Sequence, residues 1–155
     1  MAVLPLEGGC MCGALRYEVN APPLMIYNCH CTNCQKIGGS AFNTSTIVTE
    51  ASLRFMAGEP ARVEWVSDRG TTRYGLFCRA CGSRIVNGGK PSTGVFSLRA
   101  GTLDDTSWVQ PVGDTYTRSA QPWVQFVEGG LRAETLPADF APFAAAFRAQ
   151  GRFKT

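Results

Sequence analysis

The seven cysteines of this chain fall into three short clusters, and none of them lies outside the clusters. The first cluster has the spacing CxC, the second has CxCxxC and the third has CxxC. In chain order the cysteines are Cys10 and Cys12, then Cys29, Cys31 and Cys34, and finally Cys78 and Cys81. Zinc accepts tetrahedral sulfur ligands, and a CxxC turn directs both of its sulfurs to one ion. The clusters therefore predict a metal-binding protein.

Seven thiols divide into one set of four and one set of three. A closed structural zinc site takes four protein ligands, whereas a catalytic site takes three and keeps one position open. The CxC and CxxC pairs supply the predicted structural site, and the CxCxxC triplet is the predicted open site. The ligands of the closed site are then Cys10, Cys12, Cys78 and Cys81, and those of the open site are Cys29, Cys31 and Cys34. We expect two zinc ions, one structural and one catalytic or labile.

Other uses of these residues stay open at this point. The odd cysteine count and the short spacings disfavour a disulfide framework. A redox dithiol within Cys29–Cys34 is a second alternative, because CxxC also serves thiol exchange. His30, the only histidine, is a candidate catalytic proton carrier, because imidazole exchanges protons near neutral pH. In an extended segment its side chain points away from the face that Cys29 and Cys31 share, which disfavours metal ligation. It is alternatively a packed histidine without a chemical role.

Composition places the chain among compact globular proteins. It has 155 residues, of which 45% are hydrophobic and 17% charged, and we expect one domain over residues 1–155. The formal charge of +3 becomes zero once seven thiolates and two zinc ions are counted, so no nucleic-acid partner is predicted. No apolar run approaches the ~20 residues that cross a bilayer, and no signal peptide is visible. These features predict a cytoplasmic protein without a membrane partner. No motif indicates an oligomeric state.

The elements that position the cysteines are mainly strands, since 17 glycines and 9 prolines indicate many turns and little helix. Residues 32–36 are expected to form a short turn or one helical turn, and residues 88–91 a chain reversal. One helix is predicted at 137–151, where four residues form an apolar stripe: Phe140, Phe143, Ala144 and Phe147. The predicted strands span 14–19, 24–28, 41–48, 53–56, 62–66, 72–77, 94–100 and 122–126.

Four segments together resemble the glutathione-dependent formaldehyde-activating enzyme family, which includes relatives of centromere protein V. The segments are 9–13, 28–34, 77–82 and 101–105, with Gln121-Pro122-Trp123 in support, and the resemblance runs from about residue 6 to about residue 126. It implies a β-tent of stacked antiparallel sheets around a structural zinc, with a second zinc at the triplet. Relatives often carry a histidine shortly before the Trp segment, and this chain has Gly113-Asp114-Thr115 in that region.

The activity that the resemblance implies is addition of glutathione to formaldehyde, giving S-(hydroxymethyl)glutathione; the reverse reaction is that of a carbon–sulfur lyase. A zinc with three thiolates carries a net charge of −1, which favours activation of a thiol over activation of water. The aldehyde need only be held near the sulfur. Lys36 and Arg84 are candidate partners of the glutathione carboxylates. A non-catalytic binding module with two structural zincs is the main alternative to an enzyme.

Overall fold

The computed structural model describes residues 2–153, which form the predicted mainly β fold with a C-terminal helix, together with a second, short helix. The helices are α1 (Thr32–Gly38) and α2 (Ala141–Ala149). The strands are β1 (Leu6–Gly9), β2 (Arg16–Val19), β3 (Met25–Cys29), β4 (Asn43–Thr49), β5 (Leu53–Ala57), β6 (Ala61–Val66), β7 (Thr72–Phe77), β8 (Arg84–Lys90), β9 (Val95–Arg99), β10 (Gly113–Thr115) and β11 (Leu131–Ala133). Within these residues, neither helix has the length and apolar character needed to cross a bilayer.

The strands form a small sheet and a large sheet. The small sheet has the antiparallel order β1-β2-β5, and the large one has the order β11-β10-β3-β4-β9-β8-β7-β6. The two sheets meet where Gly8 bridges to Leu103 and where the hydroxyls of Tyr17 and Thr102 lie 2.8 Å apart. Strand β10 runs parallel to both β3 and β11, whereas the other pairings are antiparallel. The sequence pattern did not predict these two parallel pairings.

Alternation along the strands places one set of side chains in a common core. In β2, Tyr17 and Val19 are buried, and in β3 the side chain of Ile26 is fully buried. The opposite face of β3 carries Tyr27, whose ring stacks on Phe140 at 5.4 Å between centroids. Helix α2 thereby covers part of the face that Cys29 shares with Tyr27. The fully buried aliphatic residues are Val19, Ile26, Val48, Ile85, Val86 and Leu98.

Helix α2 is shorter than the predicted helix at 137–151. It begins at Ala141, whose backbone N–H donates to the carboxylate of Asp139 at 2.8 Å. Pro142 suits the first turn, because the nitrogens there have no acceptor within the helix. At the other end Gly151 adopts a left-handed φ of 60°, which stops the helix. The apolar stripe therefore marked the helix correctly but not its ends.

The strand predicted at 122–126 is absent from the structure. The chain turns there, with the N–H of Val124 donating to the carbonyl of Gln121 at 3.0 Å. Pro122 has no N–H and cannot take part in a strand ladder, which explains the difference. The short strands β10 and β11 occupy the sheet edge instead.

Two further segments differ from their predicted conformation. The reversal predicted at 88–91 starts later, because Gly88 and Gly89 belong to β8. Gly88 is required in the strand, since a Cβ there would lie 2.5 Å from Cζ of Tyr74. Residues Thr32–Gly38 form a seven-residue helix rather than a single turn, and Gly39 ends it with a φ of 59°.

Candidate metal centres

The sulfurs of the first and third clusters form one compact group. All four lie within 4.8 Å of one another, and they belong to Cys10, Cys12, Cys78 and Cys81. Cys12 Sγ is 3.6 Å from Cys10 Sγ and 3.7 Å from Cys78 Sγ. Tetrahedral zinc with sulfurs at about 2.3 Å would separate them by ~3.8 Å. None of the seven cysteines forms a disulfide. The donor set and its spacing therefore fit a four-sulfur zinc site.

Two similar turns present these sulfurs. After Cys10 the N–H of Gly13 donates to the Cys10 carbonyl at 3.0 Å, and after Cys78 the N–H of Gly82 does the same to the Cys78 carbonyl at 2.8 Å. Gly13 and Gly82 have φ values of 78° and 77°, which favour glycine. The turns join residues 66 positions apart, so the group fastens the end of β1 to the turn between β7 and β8.

Hydrogen bonds stabilise thiolate character at two of the four sulfurs, Cys10 and Cys81, whereas the neighbouring thiols raise the pKa of Cys12 to about 11. Burial opposes ionisation of Cys10, but the Leu15 N–H, 3.1 Å from its sulfur, contributes to a lowered pKa. The hydroxyl of Ser83, 3.2 Å from Cys81 Sγ, holds the pKa of Cys81 at about 5. Such donors orient the sulfur ligands and favour their deprotonated form.

The sulfurs of the second cluster form a separate group of three. Cys29 ends β3, Cys31 caps α1, and Cys34 lies in the first turn of that helix. The three sulfurs lie within 4.8 Å of one another, and the N–H of Cys34 donates to Cys31 Sγ at 3.3 Å. Hydrogen bonds from Cys29 and Cys34 lower the pKa of Cys31 to about 3. Hydrogen bonds with Cys29 and Cys31 raise the pKa of Cys34. The group therefore concentrates negative charge on one sulfur and suits a soft divalent cation.

A cavity of about 320 Å³ opens on the three-sulfur group. This volume is in the range of pockets that bind small organic ligands. The rings of Tyr27, Trp65 and Phe140 form an apolar wall of the cavity, while the hairpin of β6 and β7 provides charged groups. The charged side chains that line the cavity are Asp68, Arg69 and Arg73. The cavity thus joins a sulfur cluster to an apolar wall and a charged rim.

The side chain of His30 lies outside both sulfur groups. It is fully buried, and its Nε2 is 2.8 Å from Oδ1 of Asp114. The rings of Phe42 and Phe126 contact the imidazole, with centroids 5.1 and 5.4 Å away. Its Nδ1 is buried without a hydrogen-bond partner. His30 does not line the cavity, so it has no direct contact with a molecule bound there.

Asp114 organises the backbone behind Cys29. Its Oδ1 also accepts from Nδ2 of Asn28 at 3.2 Å, and its Oδ2 accepts from the N–H of Val127 at 2.7 Å. Strand β10 pairs Asp114 with Asn28 and Thr115 with Cys29. The carboxylate therefore ties three segments together directly beside the three-sulfur group.

The two cations predicted to meet glutathione are not among the residues that line the cavity. Lys36 is exposed on α1, and Arg84 donates to Oδ1 of Asn87 at 3.0 Å while its guanidinium lies 5.6 Å from the Trp65 ring centroid. The arginines that do line the cavity are Arg69, in the turn between β6 and β7, and Arg73, in β7. Their proximity to the sulfurs depends on the pairing of distant strands in the large sheet, for which local sequence carries no signal.

Tyr116 is another cavity residue that sequence reasoning missed. It has a φ of 56°, the one left-handed value at a residue other than glycine among residues 2–153. Such backbone conformations cost about 1–3 kcal/mol and cluster at functional sites. Tyr116 lines the cavity, and burial raises the pKa of its hydroxyl. Only the folded backbone reveals this conformation.

Comparison with known proteins agrees with this geometry. The model of the glutathione-dependent formaldehyde-activating enzyme family matches residues 5–119, which include all seven cysteines. The chain belongs to this family. The match confirms the resemblance and supports a glutathione-dependent, formaldehyde-activating enzyme in broad terms, and the two sulfur groups are compatible with zinc.

A solved structure shares the fold of this family member. It is a crystal structure of a Rhodobacter sphaeroides protein, with a TM-score of 0.53 and 21% sequence identity. The similarity covers 68% of this chain and 92% of the Rhodobacter chain. At this identity it bears on the fold alone.

Proposed function

We propose that this chain catalyses the addition of the glutathione thiol to formaldehyde, and the reverse carbon–sulfur cleavage, at the three-sulfur group. The observation that carries the proposal is the position of Cys29, Cys31 and Cys34 at a cavity with charges suited to a small peptide thiol. The four-sulfur group would hold a structural zinc within a single domain over residues 1–155. The three-sulfur group would hold a second, catalytic or labile zinc.

Three protein ligands leave one position of a tetrahedral ion free for substrate. A zinc ion bound there supplies one kind of chemistry, a lower pKa for a thiol that occupies the free position. In the reaction the thiol sulfur bonds to the carbonyl carbon and the carbon–oxygen double bond becomes single. The proton lost by the thiol ends on the oxygen. The side chains of Tyr27, Trp65 and Phe140 limit water near the reacting atoms.

The charged rim of the cavity matches the charges of glutathione. This tripeptide thiol has two carboxylates and one α-ammonium group. Arg69 and Arg73 offer two guanidiniums for the carboxylates, and Asp68 offers a carboxylate for the ammonium group. Guanidinium–carboxylate pairs are directional and often bidentate. We therefore assign the anchoring of the peptide to this rim, in place of Lys36 and Arg84.

We assign His30 a positioning role. Its imidazole is fully buried against Asp114, whereas a group that transfers a proton must come within hydrogen-bond reach of the reacting atoms. Its backbone carbonyl accepts from Nε2 of Gln35 at 2.7 Å and from Oγ of Ser119 at 3.0 Å. These contacts fix the peptide between Cys29 and Cys31.

Metal and thiol counts test the site. Freshly purified, reduced protein should hold about two zinc ions per chain and show no reactive thiol in the native state. About one zinc with about three reactive thiols would contradict the proposal and favour redox chemistry at Cys29–Cys34.

Kinetics test the substrate. Cys31→Ser should abolish thiol–aldehyde addition. Arg73→Gln should raise the KM for glutathione about 10-fold, since a charge-assisted hydrogen bond contributes about 1.5 kcal/mol or more. It should not change the KM for 2-mercaptoethanol, which has no carboxylate. Lys36→Gln, a matched loss of charge outside the cavity lining, should leave both values unchanged. Saturable glutathione binding without turnover would instead indicate a binding module.

A further inference from the structure

Arg99 is a buried cation without an obvious counter-ion. Only 7% of the residue is exposed, and its Nε and Nη2 atoms are buried without a hydrogen-bond partner. No carboxylate among residues 2–153 forms an ion pair with it. An unpaired buried charge is strongly unfavourable, so a nearby negative charge is required to keep a guanidinium in this position.

The sheet register places Arg99 beside the three-sulfur group. Arg99 ends β9 opposite Ser45 of β4, and Ser45 lies opposite Tyr27 of β3. Ser97, two residues before Arg99 and thus on the same face of β9, lines the cavity together with Ser45. Arg99 therefore points to the face of the sheet that carries Cys29.

The serine neighbours of Arg99 on this face are uncharged, and the nearby Arg84 is a second cation that repels it. The hydroxyl of Ser45 lies 2.8 Å from Nδ2 of Asn43 and 3.0 Å from the hydroxyl of Ser97. Burial lowers the pKa of Arg99, and the charges of Cys34, Cys29 and Cys31 act against that shift. The three-sulfur group, once a bound metal keeps it ionised, would therefore supply the negative charge that faces the guanidinium.

We infer that Arg99 is the counter-ion of the three-sulfur metal site, where it favours metal uptake and the binding of a fourth, substrate thiolate. The inference rests on the proposed function, since it requires a metal at Cys29, Cys31 and Cys34. A divalent ion with three thiolates carries −1, and Arg99 brings the local charge to zero. When a substrate thiolate also binds, the local charge becomes −1, whereas it would be −2 without Arg99. In a poorly solvated site this difference decides whether the anion binds.

Cobalt and zinc titrations of the full chain test this role without relying on turnover. Cobalt(II) with sulfur ligands gives charge-transfer and d–d absorption bands that report occupancy and coordination at each site. Competition with a chelator then gives the zinc affinities of the two sites. Arg99→Met should lower the affinity of the three-sulfur site by about 10–100-fold, the usual effect of removing a group behind the ligands. The four-sulfur site should keep its affinity.

Two further variants separate charge from packing. Arg99→Lys keeps the charge and should retain affinity within a few-fold of wild type. Arg84→Met removes a neighbouring, half-buried guanidinium that bonds Asn87 and should not weaken either site. The glutathione concentration needed to perturb the cobalt bands should be at least 10-fold lower for wild type than for Arg99→Met.

The outcomes distinguish the two claims. A wild-type chain that takes up one metal would refute the proposed function, and the role of Arg99 with it. Two metals in wild type and an unchanged three-sulfur affinity in Arg99→Met would refute only the role of Arg99. If Arg99→Met does not fold, Arg99→Lys tests the role. A 10-fold or greater loss of metal affinity at the three-sulfur site, with the positive charge retained, would contradict a counter-ion role for Arg99.

Discussion

Removal of the Asp114 carboxylate tests how the buried network supports the site. Asp114→Ala leaves three donors without their acceptor, on His30, Asn28 and the backbone of Val127. His30 is fully buried and Asn28 is 8% exposed, so water cannot readily replace the carboxylate. Each buried donor left without an acceptor costs about 1–3 kcal/mol, and local relaxation keeps the total loss of stability below the sum of the three costs. We expect a loss of about 3–5 kcal/mol in the free energy of unfolding, as for a buried pair that loses one partner.

Urea unfolding of the zinc-loaded protein, followed by circular dichroism, measures this loss. It would be a large part of the 5–15 kcal/mol that typically stabilises a domain and would lower the Tm by roughly 10 °C. Asp104→Ala is the matched control, because Asp104 pairs with Arg16 at the surface and such pairs contribute at most about 1 kcal/mol. Zinc affinity should fall at the three-sulfur group, since β10 pairs with β3 at Cys29.

A double-mutant cycle checks the assigned cause. The double variant Asp114→Ala/His30→Phe removes the buried donor of His30 together with its acceptor on Asp114. It should therefore lose less free energy of unfolding than the sum of the two single losses. If the free energy of unfolding of Asp114→Ala lies within 1 kcal/mol of the wild-type value, the network does not support the site as we describe.

Three further predictions concern the scaffold. Phe143→Ala should cost about 3–5 kcal/mol in urea unfolding, because this 4% exposed ring packs on β3; a loss below 1 kcal/mol would contradict that packing. Cys78→Ser should remove the structural metal and lower the Tm sharply in a thermal melt, since a zinc that binds the native state stabilises it; a wild-type Tm would contradict a structural role. Asp104→Asn should cost less than about 1 kcal/mol near pH 7. The Arg16 guanidinium lowers the Asp104 pKa below 3.8. The difference in free energy of unfolding between wild type and Asp104→Asn should therefore persist above pH 3.8 and vanish as the pH falls through the pKa of Asp104 in the folded protein. An unchanged difference at about pH 2 would contradict this prediction.

The cysteine pattern shows what local sequence can predict. Pairs separated by one or two residues are confined by the backbone, and glycines such as Gly82 allow the turns that bring their sulfurs together. The two sulfur groups of the structure have the same members as the two sets drawn from spacing and valence. Strands were predictable where apolar and polar residues alternate, as in β2, whose buried Tyr17 and Val19 alternate with half-buried Arg16 and Glu18.

Contacts between distant residues were not predictable. His30 and Asp114 are 84 positions apart, and nothing local marks them as partners. The three-residue strands β10 and β11 are too short to show alternation. In contrast, the apolar residues around Trp123 have a strand-like pattern but form no strand. The position of Arg99 depends on the register of β9 with β4, so its role emerges only from the assembled sheet.

The cavity is built from two parts of the chain that can vary separately. The cysteines and the charged turn lie within residues 5–119, which match the family, whereas Leu136 and Phe140 of the cavity wall lie beyond them. A chimera that keeps residues 5–119 and takes its C-terminal segment from another family member would retain the sulfur ligands and exchange one wall. If the proposed function holds, exchanging this segment should change the selectivity for the aldehyde or the thiol while the seven cysteines stay in place.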